Sequence, residues 1–375
     1  MSDLSKFDHY LNDDGPAALV VREYLMPVEG TDGVLFPATF AAGDNFPGGY
    51  NIDGDPNGTN VCLIDSVGSQ ANRIEPIFTK EKYAGLIPQI VVKAGDKLIS
   101  IVDAGHRAGD AIIRCSSLKE TIDNAFLASL RGDAEPLAKI APTSLVFGVW
   151  NSRGEKGTQE KRPRLIASTI RAFNVRKLSR SAVYNAPVDY STFEVFSEED
   201  KQKAEGDSKN PLSKRGFVNA LASGTHGGVI ATGGIRRDAT LGLAALRLLG
   251  AGSVKKTLAL RRYILGLALT AFTHNPSGYL RQGCLLVLDP DKASDREFVE
   301  VYPTGERKPT TITHETAFKF AADAANEFGV GESKTVDFDK ERAKKDVKGD
   351  GDTKTKAKAA KDKKADAASV VTETP

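Results

Sequence analysis

The sequence predicts an α+β domain with a mainly antiparallel sheet, large inserted loops and a disordered C-terminal tail. Short runs rich in β-branched and aromatic residues alternate with amphipathic runs throughout residues 1–335. Hydrophobic residues make up 40% of the 375 residues, which is enough for a sizeable core. No internal repeat is visible, so a repeat architecture is not expected.

Eight short apolar runs are predicted as strands. In chain order they are Ala17–Leu25, Val61–Asp65, Gln89–Lys93, Lys97–Val102, Ser144–Trp150, Val175–Tyr184, Gly228–Thr232 and Cys284–Leu288.

Six longer runs are predicted as helices from their apolar spacing. They are Ser66–Phe78, Ser117–Arg131, Pro163–Phe173, Ala239–Leu249, Val254–Phe272 and Thr313–Phe328. Ser117 with Glu120 forms a capping box at the start of the second helix, and Pro163 suits the first turn of the third.

Two insertions and a tail complete the predicted organisation. Residues 27–60 and 186–215 are rich in polar and turn-forming residues and are predicted as long inserted loops. From Lys340 onward the chain is mostly Lys, Asp, Ala, Thr and Gly, which cannot bury enough surface to fold. We therefore predict one domain over residues 1–335 and a disordered charged tail over residues 336–375.

Composition excludes several classes of protein. The cysteines Cys62, Cys115 and Cys284 are far apart and form no CxxC pair, which argues against a disulfide scaffold and a structural zinc site. The N-terminal residues lack the basic and apolar regions of a secretory signal, and the most apolar window, Tyr263–Phe272, is too short to span a bilayer. A cytoplasmic location with no membrane partner is therefore predicted.

The strongest local feature is a basic stretch from Asn151 to Arg180. It contains nine Lys or Arg and two Asp or Glu, an excess of +7 in a chain whose net charge is +2. Clustered cations favour nucleic-acid binding, because each phosphate contact releases counterions. If Pro163–Phe173 is a helix, Arg164, Ser168 and Arg171 share one face. The predicted RNA-binding residues of this stretch are Arg153, Lys156, Lys161, Arg162, Arg164 and Arg171.

A second candidate cluster lies in the segment IVDAGHRAGDAIIRC. His106, Arg107 and Arg114 are predicted to contact RNA from a glycine-containing loop. Asp103 and Asp110 raise the alternative of a metal site, but no HExxH or paired-carboxylate pattern accompanies them.

Two further clusters carry polar groups suited to phosphates. In the segment SGTHGGVIATGGIRRDATLGLAALRLL, Arg236 and Arg237 follow glycine-rich text, and Asp238 is a good helix N-cap. Neither GxxxxGK[ST] nor GxGxxG is present, so a nucleoside-triphosphate pocket has weak support. At the start of the first predicted helix, the candidates are Gln70, Asn72 and Arg73.

No catalytic signature was found. The five histidines form no motif with Ser or Cys, and GxSxG is absent. The sequence therefore predicts a protein that is not an enzyme, with no catalytic residue, metal or cofactor.

Five segments in the same order resemble one known family. They are SVGSQANRIEP, DAGHRAGDAIIR, SLVFGVWNSRGEKGTQEKRPRLIASTIRA, GGVIATGGIRRDATLGLAALRLL and RRYILGLALTAF with LRQGCLLVL. Together they resemble the CRISPR-associated RAMP-superfamily backbone subunit of the type I-U (or I-G) Cascade effector. The resemblance runs from about Ala17 to Leu288.

This resemblance implies an RRM-like (ferredoxin-like) palm carrying finger and thumb loops. Copies of the subunit would polymerise along the spacer of a CRISPR guide RNA, and the loaded complex would pair with target DNA in antiviral defence. The implied partners are the guide RNA, target DNA, copies of the chain itself, a large subunit, a guide-processing subunit and a recruited helicase-nuclease. The aromatic signature of a single RRM is not visible, so base stacking on the sheet should not be assumed.

Two alternative functions stay open at this point. The first is a metal-dependent ribonuclease that cuts guide-complementary RNA with Asp103 or Asp110, as implied by related subunits of type III effectors. A more distant one is a mononucleotide-binding enzyme that uses residues 223–237.

Overall fold

The computed structural model describes residues 4–55, 58–152, 159–275 and 277–348. Within these ranges the chain has an α+β fold in which almost all strand pairs are antiparallel.

The strands are β1 Ala18–Pro27, β2 Thr39–Phe40, β3 Gly49–Tyr50, β4 Ile52–Gly54, β5 Asn60–Asp65, β6 Ile90–Ala94, β7 Lys97–Ser100, β8 Val149–Trp150, β9 Lys161–Arg162, β10 Ile166–Phe173, β11 Val175–Tyr184, β12 Ala220–Ala231, β13 Ile235–Gly242, β14 Tyr279–Arg281, β15 Cys284–Leu288, β16 Glu297–Val301, β17 Arg307–Pro309 and β18 Lys334–Asp337. The helices are α1 Val67–Ile74, α2 Ala111–Arg114, α3 Lys119–Leu130, α4 Glu135–Ile140, α5 Thr143–Phe147, α6 Glu198–Ala204, α7 Pro211–Lys214, α8 Leu243–Leu246, α9 Val254–Thr273 and α10 His314–Phe328.

The central sheet has the order β14-β15-β1-β13-β10-β5-β4, and β16 and β17 extend it beside β1. We call β1, β10, β13, β15 and β16 the palm. Helical segments connect β1 to β10, and α9 connects β13 to β15. This order of strands and helices is compatible with an RRM-like palm.

One face of the palm is buried against helices. Residues at alternate positions of β1, including Leu19 and Val21, are buried, as are Ala239 and Leu241 of β13. Helix α9 lies in this core and crosses α10 so closely that a side chain on Gly266 would come within 2.7 Å of the Ala321 backbone. Backbone approaches this close require glycine.

On the other face of the palm, several side chains of β1, β10 and β13 reach the surface. Along β1 the residues between the buried positions are partly exposed. We call this surface the open face.

A two-stranded ribbon projects from the palm. Strands β10 and β11 are joined only by Asn174, which has a φ of 49°, and β12 leads back to β13. The ribbon pairs from Val175 with Ala231 to Tyr184 with Ala220, and each of its two register shifts adds one residue to β12. Because bulges raise local twist, they give the ribbon its own direction.

Buried Asn60 anchors the root of this ribbon. Its Oδ1 accepts a hydrogen bond from the Val175 amide at 2.7 Å, and its Nδ2 donates to the Val175 carbonyl at 3.1 Å and to the Asp55 carbonyl at 2.9 Å. One side chain therefore fixes β5, the preceding loop and the start of β11 together.

A lobe of helices adjoins the palm. It contains α2 to α5, α10 and a three-stranded sheet of order β18-β6-β7, in which β18 and β6 are parallel. In the described part of the chain, no helix is both long and apolar enough to cross a membrane.

Several elements match their predicted positions. Strands β11 and β15 have the predicted bounds, and α9 and α10 differ from prediction by one residue at an end. The side chain of Thr313 caps α10 by accepting from the Thr316 amide.

Three predicted elements are wrong. Residues 163–173 contain strand β10, not a helix, so Arg164, Ser168 and Arg171 do not share a helical face. Residues 239–249 form the end of β13 followed by α8, and Asp238 lies within β13, so it is not an N-cap. Residues 144–150 are mostly helix α5, whose five residues are all buried.

In each of the three cases, the free energy gained by burying side chains on the sheet or in the core outweighs the local preference for helix or strand. The capping box at Ser117 is also wrong, because α3 begins at Lys119 without a side-chain cap.

The start of the predicted tail is folded. Asp337 ends β18, residues 340–348 are helical, and Asp346 accepts from Arg114 at 2.7 Å. The rest of the tail lies outside the described residues.

Candidate nucleic-acid interface

Two rows of side chains cross the open face. Arg171 of β10, Arg236 of β13 and Tyr24 of β1 lie directly opposite one another. The neighbouring row contains Thr169, Asp238 and Arg22, and continues to Glu297 of β16. We call these the arginine rows. Strand pairing brings them together although they are far apart in sequence.

The arginine rows carry more positive than negative charge. Asp238 accepts from Arg236 Nε at 2.9 Å and from Arg22 Nε at 3.3 Å, and Arg22 also lies 3.8 Å from Glu297, so the rows hold three cations and two carboxylates. Arg171 donates to the Thr169 hydroxyl at 2.9 Å and has no ion pair among the described residues. Such an excess of cations on one surface attracts a polyanion.

Aromatic rings lie beside these arginines. The Arg236 guanidinium carbon is 4.8 Å from the centre of the Phe173 ring, and Tyr24 is partly exposed in the same row. Next to Tyr24 is a groove of about 630 Å³ whose other lining residues include Met26 and Gly233. Aromatic rings of this kind stack on unpaired bases.

Three residues of this surface were not predicted from the sequence: Arg22, Tyr24 and Phe173. No local motif contains them, and only the register of three strands places them on one surface. The sole available signal was the alternation of Val20, Arg22 and Tyr24 with the apolar residues of β1.

A second basic surface lies at the start of β10. Arg164 is exposed and makes no hydrogen bond or ion pair within the described ranges. Burial of part of its side chain, together with the charge of Arg107, lowers the pKa of its guanidinium. Gly68 lies near the start of α1, and the Nη2 atom of Arg164 is 4.0 Å from the position that a Cβ atom on Gly68 would occupy. Helix N-termini favour anions, so this arrangement also suits a phosphate.

Trp150 and Lys161 extend this second surface. They pair across β8 and β9, and the Lys161 ammonium is 5.6 Å from the centre of the Trp150 ring, which is 62% exposed. The predicted residues Arg153 and Lys156 come between these strands in sequence and lie outside the described residues.

The twelve predicted RNA-binding residues that the structure describes fall into two groups. Exposed or partly exposed on the two surfaces are Lys161, Arg164, Arg171 and Arg236; Asn72 and His106 are exposed elsewhere. The second group forms hydrogen bonds within the protein and consists of Gln70, Arg73, Arg107, Arg114, Arg162 and Arg237.

Asp65 organises the first of these internal networks. Its carboxylate accepts from Gln70 Nε2 at 2.7 Å, from Arg73 Nε at 3.1 Å and from Arg281 Nη2 at 3.1 Å. The side-chain amide oxygen of Gln70 accepts a hydrogen bond from the Ser168 hydroxyl of β10 at 2.9 Å. Gln70 and Arg73 therefore fasten α1 to the palm in this structure and do not face the open surface.

Hydrogen bonds and ion pairs within the protein also hold Arg237, Arg162 and Arg114. Arg237 lies on the buried side of β13, and its Nη2 is 2.6 Å from Glu23. Arg162 donates from Nε to the Ser129 hydroxyl at 2.8 Å and pairs with a nearby glutamate.

Arg107 forms a buried ion pair with Glu75. The Nε–Oε2 distance is 2.6 Å, both side chains are at most 5% exposed, and Nη1 also donates to the Gly148 carbonyl. Burial raises the pKa of the Glu75 carboxyl to about 7, although the charge of Arg107 opposes this rise. The prediction that Arg107 contacts RNA does not agree with this placement, because the residue is only 4% exposed.

The raised pKa predicts a pH-dependent stability. Between the ordinary value of 4.5 and about 7, the folded chain binds more protons than the unfolded chain. The free energy of unfolding contributed by Glu75 therefore falls as the pH rises through this window. In Glu75→Gln this contribution is removed, and the variant is less stable overall because Arg107 loses its partner. Denaturant titrations from about pH 5 to about pH 7 should give a shallower pH dependence for the variant. Equal slopes would contradict the assignment.

Asp110 and Asp103 do not form a cluster of metal ligands. Asp110 caps α2, with Oδ1 accepting from the Ile112 amide at 3.1 Å and Oδ2 from the His106 amide at 3.2 Å. Asp103 is exposed. No group of three or more His, Cys, Asp or Glu suited to a metal ion occurs in the part of the chain that the structure describes.

Comparison with known families gives one match. Residues 19–177 match the model of a family described as CRISPR-associated protein GSU0053. The matched region runs from β1 into β11, includes Arg22, Arg164 and Arg171, and covers less than half of the chain. No curated protein matches the sequence. The family match indicates a CRISPR-associated protein.

Proposed function

We propose that this CRISPR-associated protein is a non-catalytic backbone subunit that binds guide RNA in a type I-U (I-G) Cascade complex. Copies assemble along the spacer of the guide, and the loaded complex recognises target DNA by base pairing in antiviral defence. The observation that carries the proposal is the pair of arginine rows on the open face of the palm.

The chemistry of these rows suits a ligand of any sequence. Guanidinium groups bind phosphates regardless of the attached base, and the rings of Tyr24 and Phe173 offer flat surfaces on which any base can stack. A subunit that serves every spacer needs contacts of this kind.

The two basic surfaces lie on different sides of β10. Arg171 is on the open face, whereas Arg164 lies beside the start of α1, which packs on the side of β10 that carries Ser168. The proposal therefore depends on the arginine rows and not on Arg164. The ribbon, which projects from the end of β10, is the segment we assign as the thumb.

RNA binding to the purified chain tests the proposal. We expect single-stranded RNAs of unrelated sequence to bind with similar affinity, and the affinity to fall steeply with salt. We also expect the protein to co-purify with short RNAs of uniform length when the other subunits are present. Strong preference for one sequence, or no RNA binding, would argue against it.

A cleavage assay separates this function from the ribonuclease alternative. The assembled complex is incubated with guide-complementary RNA and magnesium, and we expect the RNA to remain intact. Cleavage that is lost in Asp103→Ala or Asp110→Ala would overturn the non-catalytic role.

A further inference from the structure

A cavity lies between the buried face of the palm, helix α1 and the β14–β15 hairpin. Its volume is about 290 Å³, and its apolar walls include Leu25, Ile170, Leu280 and Leu286. Ligand pockets in proteins are mostly apolar clefts of roughly 300–1,000 Å³ in which a few polar groups fix the ligand. The size and the walls of this cavity therefore suit one small molecule with an apolar part.

Two arginines supply the polar groups of this cavity. Arg73 of α1 donates from Nε to Asp65 and from Nη2 to the Leu280 carbonyl. Arg237 of β13, which is only 8% exposed, pairs with Glu23 through Nε at 2.7 Å and Nη2 at 2.6 Å. The Nη1 group of each arginine makes no hydrogen bond within the part of the chain that the structure describes. Both guanidinium groups therefore have donors left for a ligand.

The charges around the cavity do not balance. Glu23 also accepts from Arg296, and the buried Asp65 also accepts from Arg281. Two carboxylates thus serve four guanidinium groups, of which only that of Arg296 is half exposed. The Nη1 atom of Arg281 is buried and has no hydrogen-bond partner among the described residues. Because an uncompensated charge away from water costs free energy, the excess of positive charge favours a bound anion.

A phosphate monoester has the charge and the shape that this site requires. It carries about −1.5 to −2 charges at neutral pH and three acceptor oxygens, whereas a phosphodiester within a strand carries a single negative charge. Arginine binds phosphate through two parallel N–H···O hydrogen bonds. The apolar walls of the cavity then contact whatever is attached to the phosphate, and a flat nucleobase suits such walls.

We propose that this cavity binds a nucleoside monophosphate, with its phosphate on Arg73 and Arg237 and its base against the apolar walls. The nucleotide is either a free molecule or the phosphorylated end of a strand, since both present the same chemistry. Arg237 and its neighbour Arg236 point to opposite faces of β13, so the cavity lies behind the arginine rows. The site is therefore separate from the surface proposed for guide RNA, and it does not depend on that proposal.

Calorimetric titration of the full-length chain with adenosine monophosphate tests this site. We expect one molecule to bind per chain, and adenosine, which lacks the phosphate, to bind at least about tenfold more weakly. The affinity for adenosine monophosphate should not change when single-stranded RNA saturates the protein. Failure of adenosine monophosphate to bind would leave the cavity to water and overturn the proposal. Loss of its binding in the presence of RNA would place the nucleotide on the open face and also overturn it.

Two substitutions of Leu288 provide a matched pair of variants. Leu288 lines the cavity and is 45% exposed, so the fold should tolerate a charged side chain there. Leu288→Glu places a negative charge beside the phosphate and should lower the affinity for adenosine monophosphate about tenfold, whereas Leu288→Lys should preserve or raise it. Both variants should bind single-stranded RNA as the natural protein does. An equal loss of nucleotide affinity in the two variants would contradict recognition of a phosphate.

Short oligonucleotides identify the source of the nucleotide. A trinucleotide with a terminal phosphate and the same trinucleotide with a terminal hydroxyl are each competed against adenosine monophosphate. Displacement by the phosphorylated form alone identifies the end of a strand as the ligand, and displacement by neither identifies a free nucleotide. Equal displacement by both forms would show that a phosphodiester is sufficient, which would overturn the assignment of a phosphate monoester.

Discussion

Reversing the charge of Arg171 and Arg236 together is expected to weaken guide-RNA binding about a hundredfold. The two side chains lie opposite each other in the arginine rows, and Arg171 is free of ion pairs among the residues that the structure describes. In Arg171→Glu/Arg236→Glu the open face loses two phosphate partners and gains two repulsive charges beside Asp238. The slope of log affinity against log salt should become shallower by about 2. Fluorescence anisotropy with labelled single-stranded RNA over a salt series measures both quantities.

The matched control is Lys93→Glu/Lys97→Glu. These exposed lysines lie on β6 and β7, away from the open face, and the variant has the same change in net charge. We expect its RNA affinity to stay close to that of the natural protein. Equal losses in both variants would show that total charge, and not the arginine rows, governs binding.

Replacing Arg107 by alanine is expected to lower the free energy of unfolding by about 3–5 kcal/mol. The substitution leaves Glu75 buried without its partner, and it removes the hydrogen bond to the Gly148 carbonyl. Reversible denaturation with urea at neutral pH measures the loss. The double variant Arg107→Met/Glu75→Leu should recover much of the stability. The reason is that the free energy needed to desolvate a buried ion pair is about as large as the electrostatic attraction between its two charges.

RNA binding separates this structural role from the one predicted from sequence. At temperatures where both proteins are folded, the double variant should bind RNA as the natural protein does. A selective loss of RNA affinity without loss of stability would restore Arg107 to the interface.

The general class of fold was predictable because the apolar runs mark most of the elements. Strand β10 was mistaken for a helix because its inward positions include Ser168 as well as Ile166 and Ile170, which hides the alternation. Ser168 is buried because it donates to Gln70, a partner 98 residues away. Such pairing leaves no local trace in the sequence.

The candidate site was predictable in outline and not in detail. Clustered cations drew attention to a stretch of chain in which Arg164 and Arg171 are exposed. Sequence alone could not separate Arg236, on the open face, from its neighbour Arg237, which is buried against Glu23. Strand geometry sends adjacent residues to opposite faces, so one of two adjacent arginines had to point inward. Only the strand assignment, which was missed here, decides which one.

Strand β10 runs into β11 through Asn174 alone, and Asn60 fastens the joint. The ribbon therefore has a fixed orientation relative to β10, and the arginine rows lie next to the joint between β10 and β11. In copies assembled along a guide RNA, as proposed above, this joint would hold each ribbon in the same orientation relative to its own arginine rows.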